Sequence, residues 1–395
     1  MLSTLSSRRP RRERLATRAT FFCSGFATAA WASIIPFVKL NAQISDATLG
    51  IMLLCLGGGA LLGMPIAGIY TSRIGCKRVL VGAVSTIALL LPCLLLASSP
   101  WWLALTQVCY GMSVGTTGCA MNIHALAVEQ EAKRPLMSGF HGFYSLGGMT
   151  GAFILTLLLT LGMGPIAATL ATSLLIMALL ILSAPGYRTD ATARSGPLFA
   201  LPRGPVVVIG IVCFVFFLAE GTVLDWSGIF LNEYRAVPAS AAGLGILFFS
   251  IAMTTGRLLG DRAVARLGAR VVVTAGTLIA VTGFLLSLSL PQWQTALLGY
   301  ALIGLGCSNI VPVMFSATGQ QSLMPGALAI TAVSTLGYVG VLSGPALVGF
   351  GADAFGLPAA LHGVVLLMVL ALLLSRGVGL APRATPLSTT CQELP

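Results

Sequence analysis

Twelve apolar stretches dominate this 395-residue chain, each close to the roughly 20 residues a helix needs to cross a lipid hydrocarbon core. They lie near 18–39, 48–70, 79–98, 102–127, 137–160, 164–184, 205–231, 241–260, 271–289, 293–316, 327–350 and 357–376. None shows the two-residue alternation of a membrane barrel. In lipid every backbone polar group must be satisfied internally, so helices remain. The pattern predicts an all-α membrane protein with twelve transmembrane helices. Composition agrees, because only 8% of residues are charged and 56% are hydrophobic. A soluble domain carries about 25% charged residues, so this chain lacks the charge to cover a water-facing globule. That excludes an ordinary soluble enzyme, a disordered chain and a nucleic-acid-binding module. The bilayer is the expected surrounding, and no nucleic-acid partner is expected.

Basic residues set the orientation. The first apolar run follows the Arg8–Arg18 cluster and continues through Ile34, Ile35, Phe37 and Val38 to Lys39. It is too long for a cleaved leader and reads as the first span. With the N-terminus inside, 20 of the 22 Lys and Arg residues fall on the cytoplasmic side, and Lys39 and Arg235 fall outside. That asymmetry is what the positive-inside rule requires. Both termini are therefore expected in the cytoplasm, with the chain in a bacterial-type inner membrane.

The longest polar linker joins the sixth and seventh spans. It divides the chain into a basic tail (1–17), an N-terminal six-helix bundle (18–184), a linker (185–204), a C-terminal six-helix bundle (205–376) and a second tail (377–395). The two halves repeat at an offset of 193 residues. Gly50, Gly63, Arg73, Gly75 and Lys77 map onto Gly243, Gly256, Arg266, Gly268 and Arg270, and Gly111 maps onto Gly304. Gly147, Thr150 and Gly151 map onto Gly340, Ser343 and Gly344. Parallel repeats with a site at their interface are an architecture of secondary transporters.

The loop between spans two and three reads Gly68-Ile-Tyr-Thr-Ser72-Arg73-Ile-Gly75-Cys76-Lys77-Arg78. It is similar to the Gly-x-x-x-Asp-Arg-x-Gly-Arg-Lys pattern of the major facilitator superfamily, with Ser72 at the acidic position and Cys76 at the second basic one. The second half carries Gly260-Asp261-Arg262 and Ala265-Arg266-Leu-Gly268-Ala-Arg270. The resemblance implies gating loops built from Arg73, Lys77, Arg78, Asp261, Arg262 and Arg266. Spans four and five contain Gly118-Cys-Ala-Met-Asn122-Ile-His124 and Ser138-Gly-Phe-His141-Gly-Phe-Tyr144-Ser145-Leu-Gly147-Gly148. These segments most resemble the sugar-symporter branch that includes fucose–proton symporters, although that branch's acids in spans one and four have no counterpart. The resemblance implies a fold of two pseudo-symmetric bundles, with polar residues of those spans lining a cavity.

Ionisable groups inside a bilayer cost about 2.5–3.5 kcal/mol each on insertion scales, so they are functional candidates. Glu220 lies near the middle of span seven. Asp225 lies about 7.5 Å farther along and about 140° around the helix, so the two acids face different surroundings. Either is a candidate proton carrier. His141 shares a helix face with Tyr144 and Ser145 at i+3 and i+4. The 193-residue offset carries His141 to Ser334, which has Tyr338 at i+4; Asn309 and Asn122 complete the candidate solute site. His124 faces away from Asn122 and reads as a structural or gating residue. Gly344-Pro345 is expected to kink span eleven. The nine cysteines form no CxxC pair and read as small core residues. Two membrane histidines without a third ligand are a poor metal site, no phosphate-binding Gly-Lys-Ser/Thr motif occurs, and no nucleophile–base–acid set is present. No enzyme activity, metal or cofactor is expected.

The resulting expectation is a monomeric transporter that moves a small polar solute, a sugar or a sugar-derived acid, coupled to protons by alternating access. An efflux pump for amphipathic compounds and a non-transporting sensor on the same fold are the alternatives.

Overall fold

The structure is a computed structural model that describes residues 2–189, 201–238, 241 and 243–380. Among the described residues the chain forms thirteen α-helices and no β-strand. The first six are α1 (Leu2–Asn41), α2 (Asp46–Ile74), α3 (Cys76–Leu96), α4 (Pro100–Ala132), α5 (Met137–Thr160) and α6 (Pro165–Ser183). The rest are α7 (Pro205–Arg235), α8 (Leu244–Leu267), α9 (Ala269–Ser289), α10 (Trp293–Cys307), α11 (Ile310–Thr318), α12 (Gly326–Phe355) and α13 (Leu357–Ser375).

Among the described residues, eleven helical segments are long and apolar enough to cross a membrane, with α10 and α11 together forming one of them. The twelfth expected span, α4, is long but less apolar. It carries Gln107, Tyr110, Ser113, Thr117, Asn122 and His124, all buried in the protein. A helix that faces protein on most sides does not need a lipid-like surface.

Several expected boundaries move. The basic N-terminal segment is helical and continuous with the first span, because α1 begins at Leu2; Arg has good helix propensity. Helix α8 continues past the expected end at 260 to Leu267. Span eleven, where a kink is expected, runs as one helix, α12, with Pro345 inside it. The interruption falls instead in span ten, between α10 and α11 at Ser308 and Asn309. Most of the expected linker, residues 190–200, and the tail from 381 onward lie outside the described residues, with Arg194 and Arg383 among them.

The 193-residue repeat is visible in the backbone. Helix α9 has the bounds of α3 displaced by 193 at both ends. The turns that precede them hinge on Gly75 at φ 83°, ψ 155° and Gly268 at φ 84°, ψ 154°. That positive φ is open to glycine and strained for other residues. Close helix packing repeats too. A Cβ on Gly111 would lie 2.0 Å from the Leu56 carbonyl oxygen, and one on Gly304 would lie 2.2 Å from that of Phe249. In the first half α2 packs on α4 and α1 on α5; in the second half α8 packs on α10 and α7 on α12.

The two halves meet through α5 against α8 and α2 against α12. The start of α1, the end of α4 and the segment after α6 share one face, because Arg188 pairs there with Glu13 and Glu131. Leu380, beyond α13, lines a cavity of about 520 Å³ on this face with Lys133, Arg134 and Gly268. Both ends of the described chain are therefore on the same side. Contacts between the halves run from mid-membrane to this side. They include Met149 with Thr254 (3.7 Å), Cys119 with Thr331 (3.2 Å), the Gly139 N–H to Asp261 (3.1 Å) and Gln130 to the Gly319 carbonyl (3.1 Å). The termini-bearing side is closed.

Candidate functional site

Glu220 occupies the midpoint of α7, 15 residues from Pro205 and 15 from Arg235, which is about 22 Å from either end. A lone carboxylate at that depth is costly, and the neighbouring helix supplies its partner. Arg257 of α8 places Nη2 at 3.2 Å from both Glu220 carboxylate oxygens. The side chains are 7% and 13% exposed, so the pair is shielded from water. The positive-inside tally counts Arg257, near the end of the eighth apolar run, among the cytoplasmic charges. Arg257 is instead the central cation of the molecule, 13 residues into α8. The cost rule that singled out Glu220 applies equally to Arg257, and that was the signal available in the sequence.

Two further contacts hold the guanidinium. Its Nη1 donates to the Ser145 hydroxyl at 2.9 Å, and Ser145 donates in turn to the His141 carbonyl at 3.4 Å. Ser145 belongs to α5, so the ion pair of one bundle is tied to the other bundle. Its Nε donates to the Ser308 carbonyl at 3.3 Å. This carbonyl is free for a local reason. Four residues on stands Pro312, which has no N–H to donate to it and whose ring crowds it, so the helix breaks there. Non-helical backbone at membrane depth is tolerated where another group takes up the freed polar atom, and Arg257 does so. Asn309, within the break, donates to the Gly256 carbonyl at 3.0 Å and to the Ser308 hydroxyl at 2.8 Å.

His141 lies one turn before Ser145 on α5. Its ring is packed by Phe21 of its own bundle (centroids 5.1 Å apart) and by Phe315 of the other (5.8 Å). Its Nε2 is buried without a partner among the described residues. The same holds for Asn122 Oδ1, Asn309 Oδ1 and Ser334 Oγ. Buried polar atoms are nearly always paired, so these four side chains have bonding capacity that the described residues do not use.

The structure thus groups Glu220, Ser145 and Asn309 around Arg257, with His141 adjacent. Asn122 turns its amide nitrogen to the Gly118 carbonyl at 2.8 Å on its own helix. Tyr144 reaches Thr28 at 3.4 Å, and Tyr338 is half-buried on α12. Asn122, Ser334 and Tyr338 have no hydrogen bond to the Arg257 group among the described residues. Asp225 is exposed and stands apart from it. His124 Nε2 accepts the Arg188 backbone N–H at 3.2 Å, and its Nδ1 meets the Thr17 hydroxyl at 3.0 Å.

Of the residues expected to gate, Asp261 joins the halves. Its carboxylate accepts the Gly139 N–H in the first turn of α5, where the helix dipole favours negative charge. Glu129 accepts from the Leu136 and Met137 N–H groups at 2.7 and 2.8 Å at the same helix end. Arg73, Arg78, Arg262 and Arg266 are exposed on the closed side, and Lys77 is half-buried. At the pseudo-symmetric contact the acid is replaced by close packing, since a Cβ on Gly68 would lie 2.3 Å from the Thr331 hydroxyl.

Comparison with known proteins follows the same lines. A sequence model described as Major Facilitator Superfamily matches residues 19–262. An uncharacterized MFS-type transporter of Yersinia pestis is 42% identical over 358 residues, covering 90% of this chain and 93% of that protein. Among solved structures, the transporter FucP in its outward conformation superposes with a TM-score of 0.78 at 15% identity, over 93% of this chain and 99% of that one. The proton:xylose symporter XylE gives a TM-score of 0.74 at 12% identity, over 94% and 96%. At such identities the structural likeness establishes the fold.

Proposed function

The chain belongs to the major facilitator superfamily, and on that premise we propose that it is a proton-coupled secondary transporter for a small polar solute such as a sugar or sugar-derived acid. It works as a monomer in the inner membrane, with its termini in the cytoplasm. One observation carries this reading: the buried Glu220–Arg257 pair at mid-membrane, tied across the bundle interface to Ser145. A charge pair in that place is expensive to keep as structural glue, because well-packed apolar residues serve at least as well. It repays its cost when a solute and a proton act on it in turn.

In the closed state described above, Ser145 and Asp261 hold the halves together toward the cytoplasm. The solute enters from the opposite side and binds between Arg257, Ser145, His141 and Asn309. Asn122, Tyr144, Ser334 and Tyr338 complete the chamber as the halves rock. The proton resides on Glu220; Asp225, exposed and apart, is a secondary candidate. Ligand and proton together shift the equilibrium only by binding the two states differently. Loss of the Arg257–Ser145 tie supplies that difference. The fold and the polar centre favour this reading over a pump for amphipathic compounds.

Solute-driven alkalinisation outside proteoliposomes tests it, with solutes screened by thermal shift. Coupled uptake is expected in the wild type and uncoupled or absent uptake in Glu220→Gln. Normal coupled flux in Glu220→Gln contradicts the proposal, and the Asp225→Asn variant then identifies the remaining carrier.

A further inference from the structure

The charge balance of the site narrows the solute class. As it stands the site is neutral: Glu220 carries one negative charge and Arg257 one positive. Cys213 and Cys307 lie within electrostatic reach of Glu220, and His141 of α5 within reach of Arg257. The hydroxyl of Ser145 and the carbonyl of Ser308 complete the shell without charge.

A transporter that crosses the membrane through this site avoids carrying unbalanced charge in a low-dielectric interior. A neutral solute arriving with a proton neutralises Glu220 and leaves Arg257 as a bare buried cation. A solute carboxylate arriving with a proton leaves the total at zero, with the solute taking the place that Glu220 held. The geometry suits that exchange. Both Glu220 oxygens sit on one nitrogen at 3.2 Å, longer than the about 2.7–2.9 Å of a tight charge-assisted bond and not a fork-on-fork pair. The Nη1–Nη2 edge, which carboxylates bind bidentately, is shared between Glu220 and Ser145. Nε remains anchored to Ser308, so the guanidinium keeps its place when that edge changes partner. An incoming carboxylate that takes the edge also displaces Ser145, the tie to the other bundle.

Resting on the proton-coupled reading above, we infer that the transported solute is a small organic carboxylate, bound by the Nη1–Nη2 edge of Arg257 in exchange for Glu220, which takes up one proton, so that each cycle is electroneutral. The balance closes: one anion and one proton enter from the open side, both leave on the cytoplasmic side, and Glu220 re-pairs with Arg257 for the return.

The test uses the full-length protein in proteoliposomes and pairs of compounds that differ only in the carboxylate: glucuronate with glucose, gluconate with sorbitol, lactate with propane-1,2-diol. Expected is that an acid stabilises and is transported while its neutral counterpart is not. Its affinity should rise up to about tenfold per pH unit lowered, the limit for one proton taken up per anion. Its flux should not respond to a membrane potential set with potassium and valinomycin. Glu220→Gln, which keeps the side-chain shape, should bind the acid without pH dependence. Arg257→Gln should lose acid binding, and the milder Arg257→Lys, which keeps the charge, should weaken it at least tenfold while still showing a cooperative melt. Proton-coupled transport of the neutral member, or acid flux that follows the membrane potential, overturns the carboxylate assignment and leaves the transporter reading intact. Binding and flux of neither member across all pairs overturns the reading of a sugar or sugar-acid solute on which the inference rests.

Discussion

Removing the Asp261 carboxylate should open the side that bears the termini. In the closed state this carboxylate accepts the Gly139 N–H at 3.1 Å across the bundle interface. A side-chain acceptor at a helix N-terminus contributes about 1 kcal/mol, within a range of about 0.5–2. Because Asp261 and Gly139 belong to different bundles, that contribution exists only while the halves are closed on this side. Asp261→Ala should therefore lower the closed-to-open ratio about fivefold, the equivalent of about 1 kcal/mol at 25 °C. The fold should survive, since Glu129 still accepts from Leu136 and Met137 at the same helix end. Asp261→Asn keeps an acceptor and loses the charge, so its shift should be about half as large. Spin labels at Arg134 and Ala265, which line the cavity on this face from the two bundles, report the population by double electron–electron resonance in a cysteine-free background. Unchanged populations in both variants, or a shift toward the closed form, refute the reasoning.

Five other substitutions have definite outcomes. Gly111→Ala and Gly304→Ala place a methyl about 2 Å from a backbone oxygen and should each destabilise by about 1–3 kcal/mol. Gly118→Ala, with open space around it, should leave the melting temperature within error in a fluorescence-detected thermal melt. Pro312→Ala restores an N–H to compete with Arg257 for the Ser308 carbonyl; the protein should melt at or above the wild-type temperature yet transport at least several-fold more slowly. Arg188→Ala removes ion pairs to Glu13 and Glu131 and should cost about 1 kcal/mol in the melt, with solute affinity unchanged.

The large features were legible because they rest on local chemistry. Apolar length gave the helices, and glycine spacing gave the repeat, which reappears as matched turns at Gly75 and Gly268 and matched packing at Gly111 and Gly304. Glu220 stood out because charge is rare in an apolar run. Arg257 is just as rare there, but it lay near a run's end, where basic residues ordinarily mark the membrane face. Its role depends on α7, α5 and the broken tenth span converging on it, which no local pattern encodes. Pro312 was equally ambiguous. Proline occurs inside α1, α2, α3 and α12 without dividing them, and what distinguishes Pro312 is a cation placed to use the carbonyl it frees. Helix α4 illustrates the converse, a span whose polarity is explained only by its burial between other helices.

The central claim is that the bundles must separate on the cytoplasmic side around the Arg257 centre for solute to cross. The most direct measurement joins α5 to α8 by cysteines at Met149 and Thr254, whose side chains meet at 3.7 Å, using oxidation or a short thiol cross-linker in a cysteine-free background. Solute uptake is then followed before and after reduction. The expected result is retained binding from the outer side with uptake abolished while linked and restored on reduction. Undiminished uptake by the fully linked protein would contradict the account.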